Sequence, residues 1–128
     1  MRITTAGLAC RSGRYLAALR KPGSSIGESW EFPGGKNRRG ETPEITLQRE
    51  FLEELGLRIS VGSLRFETVF TNQGQKYLLK AYHIDLLEEQ PVLHEHQQIG
   101  WFLPGELLEL PLADSDRAIA SFLSRTDS

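Results

Sequence analysis

The spacing of apolar positions changes several times along the chain, and each change marks an element. Residues 2–9 alternate loosely and are β-prone, with a turn following at Ser12-Gly13. Residues 14–20 (RYLAALR) make a second strand, so 2–20 reads as a hairpin. Residues 22–29 (PGSSIGES) are dense in Gly, Ser and Pro and read as a loop. A short strand, WEF at 30–32, runs into Pro33-Gly34-Gly35, and residues 36–41 form another loop. The β-prone runs 58–71 and 76–88, joined by Asn72-Gln73-Gly74-Gln75, predict a long hairpin. A polar loop follows at 89–97, then a strand at 99–103 and one or two helical turns at 104–110. The chain closes with an amphipathic helix over 114–125, capped by Asp114 or Ser115.

A helical period is clearest at 43–55. Thr42 suits the N-cap, Pro43 the first helical position and Glu44 the positive end of the helix. Gly56 suits the residue just past its end. On a helical wheel Leu47, Phe51, Leu55, Leu52 and Ile45 share one side, which predicts a core-facing stripe. Glu50, Glu53 and Glu54 share another side, within an arc of about 100°. Strands thus outnumber helices and mix with them. The expected architecture is one α+β domain over 1–128, an α/β/α sandwich with a mixed sheet.

Composition narrows the function. The chain has 128 residues and a net charge of −2, so it has no global basic field for a nucleic acid polymer. Cys10 is the only cysteine, which excludes an intrachain disulfide and a Cys-based zinc site. No apolar run approaches the ~20 residues that span a bilayer. The N-terminal MRITTAGLACRSGR lacks a signal-peptide layout. We therefore expect a cytoplasmic protein with no membrane partner. The pattern leaves both a monomer and a homodimer open.

The acidic side of the helix is the unusual feature. Clustered carboxylates repel by ~0.2–0.5 kcal/mol per close pair. Glu53 and Glu54 also sit in the last turn, where the helix dipole disfavours negative charge. Two readings stand: a solvated acidic face, or hard oxygen ligands for Mg²⁺ or Mn²⁺. The preceding loop bears on the choice. Pro33-Gly34-Gly35 allows close backbone approach to a ligand, and Lys36, Arg38 and Arg39 set positive charge beside the acids. That pairing suits a polyphosphate held between metal and basic groups, although 36–40 also reads as a plain exposed turn.

Residues 35–57, GKNRRGETPEITLQREFLEELGL, resemble the Nudix box. Gly35, Glu41, Arg49, Glu50, Phe51, Glu53, Glu54, Gly56 and Leu57 stand at the family spacing, with Phe51 where an aliphatic residue is usual. WEFPGGK at 30–36 resembles the lead-in of the MutT branch. HEHQ at 94–97, Trp101 and PLADSD at 111–116 are similar to the related CTP pyrophosphohydrolases.

The resemblance implies a Mg²⁺-dependent pyrophosphohydrolase acting on a small nucleotide such as 8-oxo-dGTP. CTP, dCTP or a modified pyrimidine triphosphate is the alternative, and a non-catalytic nucleotide-binding module ranks below both. An RNA-directed role lacks the basic surface it needs. By resemblance Glu53 and Glu54 ligate metal, and Glu50 ligates metal or acts as general base. Arg49 orients Glu50 or Glu53, and Glu41 supports the box. The Gly34 carbonyl and Glu95 complete the metal set, with Glu95 also readable as a solvated loop acid. Arg20, Lys21 and Lys36 reach phosphate, while Glu31, Phe32, Pro33 and Asp116 border the substrate. Asp116 can also cap the final helix. His94 and His96 are phosphate contacts or exposed loop bystanders, and Trp30 and Trp101 are core before stacking platforms.

Overall fold

The computed structural model describes residues 1–22 and 28–127, so most of the loop expected at 22–29 lies outside the described residues. The elements in chain order are β1 (Arg2–Arg11), β2 (Arg14–Arg20), β3 (Trp30–Glu31), α1 (Pro43–Leu55), β4 (Ile59–Asn72), β5 (Gln75–Leu86), β6 (His96–Phe102), α2 (Pro104–Leu107) and α3 (Asp114–Thr126). The sheet order is β3-β2-β1-β5-β4, with β6 also paired to β2. Both hairpin turns place two consecutive residues at positive φ, Ser12-Gly13 and Gln73-Gly74, which matches the twist of the flanking strands.

β1 divides its pairing, and the site depends on this. It meets β2 only near their turn, where Cys10 faces Tyr15 and Arg11 faces Arg14. From Arg2 to Ala9 it runs parallel to β5. The two strands therefore part, and the segment after β3 fills the split. Gly7 N–H donates to the Pro33 carbonyl, Thr5 N–H to Gly35 and Asn37 N–H to Ile3.

Strand alternation feeds two cores. Ala6 and Leu8 of β1, Tyr15 and Ala17 of β2, and Leu79 and Ala81 of β5 pack with Ile119, Ala120 and Leu123 of α3. Ala9, Leu16, Tyr82 and Ile84 pack on the other face with Leu47, Phe51 and Leu55 of α1. The mixed sheet between helices is the sandwich expected from sequence.

α1 spans the residues predicted for it, because its end signals are local. The Thr42 hydroxyl accepts from Ile45 N–H, and Gly56 closes the helix with φ 63°. Its buried stripe is narrower than the wheel suggested. Ile45 and Leu52 are 48% and 53% exposed, not core, while Thr46 and Glu54 are buried. The sheet covers the 47/51/55 line, and the chain around residues 34–41 covers the neighbouring polar line instead. α3 corrects a second expectation: its N-cap is Ala113, with no side-chain cap. β6 begins at His96, inside the loop expected over 89–97.

Phe51 owes its place to Gly7. A Cβ on Gly7 would lie 2.4 Å from Phe51 Cε1, so the ring occupies space that any other residue would need. Gly7→Ala is expected to destabilise by about 1–3 kcal/mol through overpacking. Phe51→Leu removes the clashing ring, so the penalty should largely vanish in that background. Denaturant unfolding of the four proteins in the double-mutant cycle measures this coupling.

Candidate active site

Arg49 organises the acidic side of α1. Its Nε donates to Glu41 Oε2 at 2.6 Å and its Nη2 to Glu41 Oε1 at 3.0 Å, a two-point fork. Nη1 reaches Glu50 at 2.7 Å and Glu53 at 3.3 Å, and Nη2 also meets the Lys36 carbonyl at 3.2 Å. Glu41 further accepts from Arg38 N–H and the Thr46 hydroxyl. The Arg49 guanidinium is the main cause holding the Glu41 carboxyl down, to about 2. Arg49 thus orients both Glu50 and Glu53, and Glu41 anchors Arg49.

Glu54 lies beyond that guanidinium. It is 5% exposed, and its buried Oε2 has no hydrogen-bond partner among the described residues. Burial, then the charges of Glu31, Glu50 and Glu95, pushes its carboxyl up to about 9, against a smaller pull from the Gly34 N–H. Burial also raises Glu50, with Glu53 and Glu95 adding to the shift and Arg49 opposing it. Five carboxylates thus share one field. Among the described residues, however, no three His, Cys, Asp or Glu groups form a ready-made metal cage. Arg49 draws Glu50 and Glu53 one way, and Glu54 turns the other way toward Gly34.

The glycine turn makes room for these acids. A Cβ on Gly35 would lie 2.5 Å from Glu50 Cδ. A Cβ on Gly34 would lie 2.2 Å from the Thr5 carbonyl, at a φ of +154°. Thr5 clamps the turn, its N–H and hydroxyl both donating to the Gly35 carbonyl. The carbonyls of Pro33 and Gly35 are thus turned to β1.

The segment before β6 brings Glu95 into this field by crossing the end of α1. Val92 N–H donates to the Leu55 carbonyl, His94 N–H to Glu54 and His94 Nδ1–H to Glu53. Lys21 holds the same segment through the His94 carbonyl at 3.0 Å. Exposed Glu95 follows directly.

Two joined cavities lie beside the acids. The smaller, about 220 Å³, is lined by Arg20, Gly34, Gly35, Lys36 and Glu54 among others. The larger, about 630 Å³, runs between β3, the end of β4 and the start of α3. Glu31, Phe70, Ser115 and Asp116 border both. Asp116 Oδ1 accepts Phe32 N–H at 3.0 Å, and burial pushes its carboxyl up to about 7. Burial also raises Glu31, but hydrogen bonds from His96 and Arg20 outweigh it and leave the carboxyl below its ordinary value.

Most residues singled out from sequence gather here, with exceptions. Glu41, Arg49, Glu50, Glu53 and Glu95 lie outside the lining of both cavities, as do Pro33, whose carbonyl is taken by Gly7, and Lys21, which is held by the His94 carbonyl. Trp30 is buried edge-on to Phe102, and Trp101 lies under the Arg11 guanidinium, so neither is a stacking platform in the cavities. His96 is no loop bystander. It is buried in β6 and bonds Glu31. Ser29, whose buried hydroxyl has no partner among the described residues and which borders the larger cavity, carried no signal in the sequence.

Residues 1–123 match the NUDIX domain. The chain is 36% identical over 106 residues to the CTP pyrophosphohydrolase of Escherichia coli (strain K12), covering 83% of this chain and 78% of that protein. It is 43% identical over 80 residues to the 8-oxo-dGTP diphosphatase of Proteus vulgaris, covering 62% and 70%. The solution structure of the E. coli ORF135 protein superposes with a TM-score of 0.85 at 33% identity, covering 97% of this chain and 89% of that one. A mixed sheet between helices, with a helix of acids facing a glycine turn, defines the architectural class. Within that class, the chain belongs to the Nudix family.

Glu54 makes stability depend on pH. Its carboxyl titrates at an ordinary 4.5 when unfolded and at about 9 when folded. Between those values the folded state keeps a proton that the unfolded state has lost, so stability falls as pH rises. The melting temperature of metal-free protein is expected to drop from about pH 5 to about pH 9. Glu54→Gln should flatten that slope, leaving a smaller contribution from Asp116 below about pH 7. An unaltered slope in Glu54→Gln would exclude a buried, protonated Glu54.

Proposed function

We propose that this chain is a divalent-metal-dependent nucleoside triphosphate pyrophosphohydrolase of the MutT type, forming nucleoside monophosphate and pyrophosphate. The observation that carries the reading is Glu54: a buried carboxyl among like charges, with one oxygen unpartnered. Such a group is costly unless a cation joins it. The donors around it are hard oxygens, the chemistry that suits Mg²⁺ or Mn²⁺.

Glu50, Glu53, Glu54, Glu95 and the Gly34 carbonyl would hold the metal. When bound, it supplies charge neutralisation for the phosphate oxygens and a more acidic water. The protein's own groups do the rest. Arg20 and Lys36 line the smaller cavity and meet the phosphates. Glu31, Phe32 and Asp116 border the nucleoside in the larger space, whose volume suits a small ligand. A carboxylate of the cluster takes a proton from the attacking water, and Glu50, bonded by Arg49, is our candidate for this role. Fixing these groups before the reaction lowers the barrier by orientation and electrostatics.

The substrate reading has two branches. An oxidised purine triphosphate follows the Proteus relative, and a cytidine triphosphate follows the E. coli relative. All the box acids are present, which disfavours a non-catalytic module. Among the described residues no helix is long and apolar enough to cross a membrane. Our reading is of a single-domain enzyme acting in the cytoplasm.

Pyrophosphate release with Mg²⁺, measured across canonical and oxidised nucleotides and compared by kcat/KM, tests both branches. Glu54→Gln is expected to lower kcat by about a hundredfold or more while the protein remains folded. A fully active Glu54→Gln variant would sink the metal assignment.

A further inference from the structure

Glu31 divides its two oxygens between two partners. Arg20 Nη1 donates to Oε1 at 3.0 Å, and His96 Nε2 meets Oε2 at 2.8 Å. The three residues come from β2, β3 and β6. In the β2–β6 ladder Leu19 faces Gln98 but Arg20 faces His96, so Gln97 is the extra residue of a bulge. Gln97 instead donates from its side chain to the Arg20 carbonyl at 2.9 Å. Bulges re-aim the side chains beside them. Here His96, between exposed Glu95 and Gln97, is only 3% exposed and points its ring at Glu31.

The consequence falls on Arg20. A carboxylate and a guanidinium commonly pair through a two-point fork, the arrangement that Glu41 and Arg49 adopt in this molecule. His96 occupies the second oxygen of Glu31, and Arg20 engages that carboxylate through Nη1 alone. Its buried Nε has no partner among the described residues, and its side chain lines the smaller cavity. We propose that His96 is a positioning residue: by holding Oε2 of Glu31, it keeps Arg20 engaged at one nitrogen and leaves its other donors for an anionic group of the substrate. That this group is a nucleotide phosphate rests on the function proposed above. The arrangement of the three side chains does not.

Three substitutions separate this role from simple packing. His96→Gln keeps a donor near the place of Nε2, His96→Asn moves it toward Nδ1, and His96→Leu removes it. Two readouts apply: steady-state pyrophosphate release with Mg²⁺, and the Arg20 Nε–H resonance of the ligand-free protein. His96→Asn and His96→Leu are expected to raise KM about tenfold or more with kcat within about threefold, as loss of uniform binding requires. Both should move the Arg20 resonance, and His96→Gln should restore both readouts. An unchanged KM and resonance in His96→Leu, or a His96→Gln variant as impaired as His96→Leu, would overturn the assignment. Should His96→Leu fail to fold, the contrast between His96→Gln and His96→Asn decides. If the wild type releases pyrophosphate from no nucleotide, the functional reading fails while the Arg20 resonance still decides the role of His96.

Discussion

Carboxylates crowded onto one side of a short helix repel one another, and Arg49 decides which of them are relieved. It bonds Glu41, Glu50 and Glu53, and through the Lys36 carbonyl it also ties the loop before α1 to the helix. Glu54 stands one residue beyond that reach. It is buried beside Gly34 at the smaller cavity, and one of its oxygens has no hydrogen-bond partner among the described residues. The acids are therefore compensated unevenly, and the one without a neighbouring cation, Glu54, holds its proton and borders the cavity. A more even distribution of cations would favour stability but would leave nothing to attract a divalent ion.

The sheet is what allows a side chain on one face to serve a cavity on the other. β1 parts from β2 a few residues after their turn and pairs with β5 instead. The glycine turn lies in that split, bonded to β1. Glu54 comes from the helix on one face, Asp116 from the helix on the other, and both border the smaller cavity. A continuous β1–β2 ladder would keep them apart. Gly34 and Gly35 then serve packing as much as backbone freedom, since Thr5 and Glu50 occupy the volumes that side chains would fill.

What could be read from the sequence follows from how local each signal is. α1 was legible to the residue because Thr42, Pro43 and Gly56 act within one turn of its ends. The hairpin turns were legible for the same reason. The acid cluster was visible as a pattern, but a wheel treats Glu53 and Glu54 as equivalent neighbours. Only tertiary structure leaves one exposed beside Arg49 and buries the other beside Gly34. Ile45 and Leu52 misled because apolar character marks what can be buried, not what the sheet is wide enough to cover. His96 was hidden because a bulge depends on the partner strand, and nothing in HEHQ itself announces one. Lys21 and Pro33 matched a motif whose neighbours reach the cavities, yet their own polar groups are taken up by backbone.

The parallel ladder between the first strand and β5 sets an order of assembly. Arg2 faces Tyr77, so the two are 75 positions apart (77 − 2), and the register continues to Ala9 and Ile84. β1 therefore waits for a strand far along the chain before it can pair along most of its length. The antiparallel β4–β5 pair, by contrast, closes around a tight turn and can form as soon as it emerges. Until then the N-terminal strand has only its short contact with β2, and Gly34-Gly35 has no edge to dock against. The acidic site is therefore tied to a contact of high sequence separation, since its glycine turn docks on a strand whose long ladder is with β5.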